Sequence, residues 1–168
     1  KNGGKHMYSN EFSANEKHYK RSITITDDNE VIISEFSSNI DCERDTLQTE
    51  TKKKYQSVAI LKLGGGRFAQ CTDGNRVDWY NLLLCCKCLE VTKGENVRVE
   101  FVAGDTYFKV IDEDERFASI YDQTGTLLAK EEEPTIIDVV FSACGACLQK
   151  TDSNGKKTLY NFEGYLAG

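Results

Sequence analysis

The chain has 168 residues, 39% hydrophobic and 29% charged, and a net charge of −6. That length fits one domain able to bury roughly 70% of its unfolded surface. The acidic balance excludes a general nucleic-acid binder, which needs Lys and Arg to displace counterions, and argues against docking on an anionic membrane. No apolar run approaches the ~18 residues of a spanning helix.

Residues 1–17 are polar and contain Gly3 and Gly4, so they are expected to form a flexible arm ahead of a single β-rich domain over 18–168. Lys20 to Thr26 alternates, with Ile23 and Ile25 on one face. Asp27-Asp28-Asn29 supplies turn chemistry, and Glu30 to Phe36 returns, rich in β-branched residues. Asp41 to Lys54 is polar with no sustained apolar period and reads as a long loop with room for a short helix. Tyr55 to Leu63 and Arg67 to Thr72 are strands separated by Gly64-Gly65-Gly66, and Asp73-Gly74-Asn75 makes the next turn. Trp79 to Val91 is apolar on both faces, either a covered strand or a buried helical turn. Asn96–Ala103, Tyr107–Ile111, Arg116–Asp122, Thr126–Lys130 and Thr135–Ser142 continue the strand pattern. Asn154-Gly155 predicts a type I′ hairpin turn before a last strand over Lys157–Leu166. Ten to twelve short strands at about ten-residue spacing predict an all-β single domain: a β-sandwich or jelly roll, or a β-trefoil-like barrel.

Two stretches carry a resemblance. Val58-Ala59-Ile60-Leu61 through Arg67-Phe68-Ala69-Gln70-Cys71, with the hairpin Phe117 to Lys130, resembles the strand pairs of interleukin-1-type β-trefoil cytokines. Asn161-Phe162-Glu163-Gly164-Tyr165-Leu166 resembles the last strand of C1q- and tumour-necrosis-factor-type jelly rolls. The two imply different folds, and neither implies functional residues here.

Seven cysteines stand at 42, 71, 85, 86, 88, 144 and 147. A density of this kind suits an extracellular domain, so Cys42, Cys71, Cys85, Cys86, Cys88, Cys144 and Cys147 are all disulfide candidates, with at least one left over for a second chain. Cys86-Lys87-Cys88 puts two thiols on one strand face. With Cys144 and Cys147 they make a tetrahedral zinc set the alternative; inert thiols or a redox Cys-x-x-Cys are the others. Around the hairpin whose tip is Gln123-Thr124-Gly125, pairing of Phe117 near Glu131 would crowd residues 112–115 against 131–133. A calcium site on Asp112, Asp114, Glu131 and Glu133 would offset that charge, and a solvated acidic loop is the plainer alternative. Gly64–Gly66 lacks the Lys and Ser/Thr of a phosphate loop. Trp79 and Tyr80 face opposite ways on an extended strand, so one of them is a candidate interface residue, with core packing as the alternative.

The only histidines, His6 and His18, lie in or beside the arm, and no hydrolase, zincin or nucleotide motif is present. The expectation is therefore a secreted, non-enzymatic protein-binding domain without a resident cofactor, a cytokine-like ligand, surface-directed effector or adhesion module. Its partner would be a cell-surface or extracellular protein, with homo-oligomers open through a disulfide or without one. The alternatives are a closed β-barrel carrier of a small molecule and an intracellular zinc-stabilised β domain.

Overall fold

Three connections share one local chemistry. In 26–30, 122–126 and 152–156 the first and last residues close a three-residue loop, through Thr26 N–H to Glu30 O, Asp122 N–H to Thr126 O and Asp152 N–H to Lys156 O, at 3.0–3.1 Å. The third loop residue in each takes a positive φ: Asn29 at 62°, Gly125 at 92° and Gly155 at 83°. The first residue's side chain then ties the turn down. Thr26 Oγ1 accepts from Glu30 N–H, Asp122 Oδ1 from Thr124 and Thr126 N–H, and Asp152 Oδ1 from Asn154 and Lys156 N–H. This is a type I turn followed by a left-handed residue, so the Asn154-Gly155 turn is not the expected type I′: only Gly155, not Asn154, has a positive φ. Asn15 and Glu16, both left-handed, do make a two-residue turn of the I′ kind.

The computed structural model describes residues 6–39, 44–143 and 145–163. Its elements are fifteen strands: β1 (His6–Ala14), β2 (Lys17–Ile25), β3 (Glu30–Asn39), β4 (Thr46–Lys54), β5 (Ser57–Leu63), β6 (Gly66–Asp73), β7 (Arg76–Asn81), β8 (Cys86–Thr92), β9 (Val97–Val102), β10 (Tyr107–Asp112), β11 (Phe117–Tyr121), β12 (Leu127–Glu132), β13 (Ile136–Ser142), β14 (Gly145–Thr151) and β15 (Lys157–Tyr160). They form four antiparallel meanders in chain order, β1–β4, β5–β8, β9–β12 and β13–β15. The all-β expectation holds. None of the sheets closes on itself, which overturns the trefoil-like barrel and the closed-barrel carrier. Strands of a jelly roll alternate between its two sheets, whereas here each sheet holds consecutive strands.

Three further expectations are corrected. Residues 6–14 are not a flexible arm but β1, paired with β2 at all nine positions. Residues 46–54 are not a loop but the edge strand β4. Eight of its nine residues are exposed, so no apolar period marks it, while Thr46, Thr49 and Thr51 supply β-branching. Trp79–Val91 is two strands: Asn81 Oδ1 accepts from Leu83 and Leu84 N–H at 3.1 Å, and Cys85 turns left-handed at φ 56°, reversing the chain.

The chain divides into two compact units, one of residues 1–62 and 66–91, the other of residues 63–65 and 92–168. In the first unit Ile23, Ile25 and Val31 of the β1–β4 sheet meet Ala69, Cys71, Tyr80, Leu82 and Cys85, with Tyr55 between. In the second, Ile120 and Ala129 meet Ile137, Val139 and Leu148. Gly64 has φ +51°, and a Cβ there would lie 2.5 Å from Asp105 O, so only glycine fits this position of the second unit.

Candidate functional site

The core-facing side of the first sheet is longer than its cover. Side chains alternate along β1 to β3, so Tyr8, Asn10 and Phe12 share a face with Tyr19, Arg21 and Ile23, and with Ile33, Glu35 and Ser37. Tyr8, Ile23 and Ile33 pack in the core, and Asn10 Nδ2 still reaches Leu83 O at 3.2 Å. Beyond that row the face is open and forms a groove of about 380 Å³ lined by Phe12, Tyr19, Arg21, Glu35, Ser37 and Thr49, with Lys17 at its end. A bulge opposite Glu35 and Phe36 makes Gln48 an extra residue of β4 and adds it to the lining.

The groove is ordered by its own contacts. Phe12, 56% exposed, stacks on Tyr19 with centroids 5.1 Å apart and planes 19° apart. Arg21 grips Glu35 Oε2 from Nε at 3.2 Å and Nη2 at 2.9 Å, and Thr49 Oγ1 donates to Oε1 at 3.0 Å. The hydrogen bonds from Arg21 and Thr49 hold the Glu35 carboxyl below its ordinary range, so it is an ionised acceptor rather than a proton donor. Among the described residues Lys17 forms no ion pair. The groove can therefore stack an apolar or aromatic side chain, offer hydrogen bonds from Ser37 and Gln48, and attract a carboxylate.

A second constellation lies in the same unit, inside. Asp78 is fully buried on β7. Tyr55 Oη donates to its Oδ2 at 2.6 Å; that uses the one phenolic proton of Tyr55, so Tyr80 donates to Tyr55 Oη, also at 2.6 Å. Arg76 Nε donates to Oδ1 at 3.2 Å, while Lys53 and Lys87 stand 3.5 and 3.8 Å from Oδ2. Glu90 balances Arg76 and Lys87 from outside. Burial alone would raise the Asp78 pKa; the hydrogen bonds from Tyr55 and Arg76, with the charges of Lys87 and Lys53, outweigh it and hold the carboxyl below the usual range. Burial, then Asp78 and Tyr80, pushes the Tyr55 phenol far up. Cys71, cross-strand from Asp78, is pushed up to about 12 by burial and the neighbouring charge. Both carboxylate oxygens of Asp78 are answered within the protein, so this network fastens the strands that carry its members.

The residues singled out from the sequence fall elsewhere. Trp79 and Tyr80 are 3% and 4% exposed, so neither is an interface residue; an apolar covering on both faces buries them together. Cys71, Cys85, Cys86, Cys88 and Cys147 are thiols in no disulfide, against expectation, and Cys42 and Cys144 lie outside the described residues. Of the zinc set, Cys86 and Cys88 lie on β8 of the first unit, with Cys88 Sγ 3.4 Å from Trp79 O, and Cys147 lies on β14 of the second, 3.2 Å from Ser142 Oγ.

The acidic hairpin forms one residue from the expected register, Phe117 facing Glu132, yet its acids turn to separate partners. Glu131 pairs with Lys150 and Glu133 with Arg116, each at 3.3 Å; Asp114 accepts from Asn96 at 2.8 Å, and Asp112 from Glu115 N–H at 3.0 Å. No group of three or more His, Cys, Asp or Glu among the described residues is placed to hold a metal. Asp78 was findable: it is the only acid between Arg76 and Glu90, inside the most apolar run of the chain.

No family model and no curated protein matches the chain. Two solved structures resemble it over 91% of its length: BamB from Moraxella catarrhalis, at 13% identity and a TM-score of 0.30, and Hsv2 from Kluyveromyces lactis, at 15% and 0.35. The chain spans 44% and 47% of those two proteins, about half their length. No described helix is long and apolar enough to cross a membrane.

Proposed function

We propose that the chain is a non-catalytic protein-binding module that receives a segment of its partner in the groove over the open end of the first sheet. The observation that carries this is the stacked, half-exposed Phe12–Tyr19 pair beside the Arg21–Glu35 pair: an aromatic anchor next to a fixed polar clamp suits protein recognition. An ionised Glu35 held by Arg21 supports binding over acid–base chemistry. Cores drawn from two sheets apiece support a sandwich-like packing within each unit. Cys71, Cys85, Cys86, Cys88 and Cys147 stand outside any disulfide, so the groove rather than a disulfide scaffold supports this reading.

The test is selection of peptides from a random displayed library, followed by titration against Phe12→Ala and Lys17→Glu. Selected peptides should carry an aromatic and an acidic residue and lose at least about tenfold in affinity on Phe12→Ala, the effect of an interface anchor. Peptides indifferent to both substitutions, or no selection at all, would overturn the proposal.

A further inference from the structure

Along β2 the residues on the groove side are Lys17, Tyr19 and Arg21, and the register makes each the centre of a row across the sheet. Arg21 lies between Asn10 and Glu35, with Thr49 beyond; Tyr19 lies between Phe12 and Ser37; Lys17 lies between Ala14 and Asn39. The rows ask different things of a ligand. The first is closed on itself, because Arg21 and Glu35 cancel each other's charge and Asn10 Nδ2 is spent on Leu83 O. The second offers the stacked rings of Phe12 and Tyr19. The third offers an ammonium: Lys17 is exposed and, among the described residues, in no ion pair. Lys20 alternates to the opposite side and stands 5.9 Å over the Phe36 ring.

Resting on the reading of the groove as the partner's seat, we infer that its occupant is an extended segment lying along β2, carrying an aromatic residue and, two residues from it, a carboxylate. Successive rows on one face of a strand stand ~6.6 Å apart, and side chains on one face of a bound strand recur at the same interval. Strands of stacked layers run within about 30° of each other, so a segment continuing the covering layer past Leu83 stays in step with β2 from Arg21 to Lys17. An aromatic ring laid on Phe12 and Tyr19 then sets the next side chain of that face over Lys17, where an acid neutralises the ammonium. An acid on the other side of the ring meets Arg21, whose charge Glu35 already answers. Volume points the same way. Three rows span about 13 Å, over which the inner half of a strand fills roughly 300 Å³ and the inner half of a helix roughly 500–700 Å³. The groove holds about 380 Å³, enough for the strand and too little for the helix. The spacing of two is the same for either chain direction.

Selection from a random displayed peptide library, run in parallel on the full chain and on its Lys17→Glu and Lys17→Met variants, tests this. On the wild type, Asp and Glu should be enriched two residues from the selected aromatic residue. On Lys17→Met that enrichment should vanish while the aromatic residue is retained, and on Lys17→Glu the same position should turn to Lys or Arg. In titrations of a selected peptide, moving the acid by one residue should cost about fivefold in affinity, the scale of a solvent-accessible ion pair. Acids enriched three or four residues from the aromatic residue, the spacing of a helix face, would overturn the inference and leave the groove as the binding site. So would aromatic-bearing peptides with no placed acid, or an acid preference that survives Lys17→Glu. Peptides indifferent to Phe12→Ala as well as to Lys17→Glu, or no selected peptide at all, would overturn the groove itself.

Discussion

Tyr55→Phe removes one oxygen and breaks two contacts. Asp78 loses a 2.6 Å charge-assisted hydrogen bond, and the buried Tyr80 hydroxyl loses its acceptor. A hydrogen bond to a charged group contributes about 1.5–3 kcal/mol, and a stranded buried hydroxyl costs about 1–3 kcal/mol. Arg76, Lys53 and Lys87 still hold the carboxylate, so the loss should come to about 3 kcal/mol, or roughly 6–12 °C in Tm for a chain of this size. Urea unfolding at neutral pH measures it.

The pH dependence gives a second reading of the same substitution. Asp78 is held below its ordinary pKa, so its contribution is fully present above the unfolded value of 3.8 and is lost as pH falls through the folded value. Removing Tyr55 Oη lets that folded value climb back, so the variant's deficit should be widest at neutral pH and narrow below pH 3.8. Adding Tyr80→Phe removes the stranded hydroxyl, so the double variant should lose less than the sum of the two single ones. A deficit below about 1 kcal/mol, or one that does not narrow in acid, refutes the reasoning.

Gly64→Ala combines a left-handed φ with a 2.5 Å approach to Asp105 O and should cost at least about 2 kcal/mol in a denaturant melt, whereas Phe12→Ala should stay within about 0.5 kcal/mol of wild type. Leu148→Ala, from a fully buried position, should cost about 2–5 kcal/mol by the same measurement. Burial raises the Cys71 and Cys85 thiols, so peptide-resolved alkylation at about pH 8 should leave both unmodified in the folded chain and label both in urea.

The strands that alternate between core and solvent were legible because the period of two is written into residues such as Ile23 and Ile25, or Ile137 and Val139. The missed elements β1 and β4 escaped because little of them enters a core: both are held by ladder hydrogen bonds, which any side chain allows. The Trp79–Val91 run hid a reversal because the residue ending β7 is Asn81, whose side chain completes a turn that composition alone does not show. The groove was illegible for a different reason. Phe12, Tyr19, Glu35 and Thr49 come from four strands, and only the register brings them to one place. The cysteines misled because their number was taken for pairing, when Cys71 and Cys85 serve as small apolar core residues.

Among the described residues every ladder joins strands that are neighbours in sequence, and none spans Lys93–Asn96. The chain is therefore written in clauses: the described strands before that link and those after it share no ladder. A protease nick between Lys93 and Asn96 would leave all four sheets hydrogen-bonded as before, and new chain ends placed there would interrupt no strand.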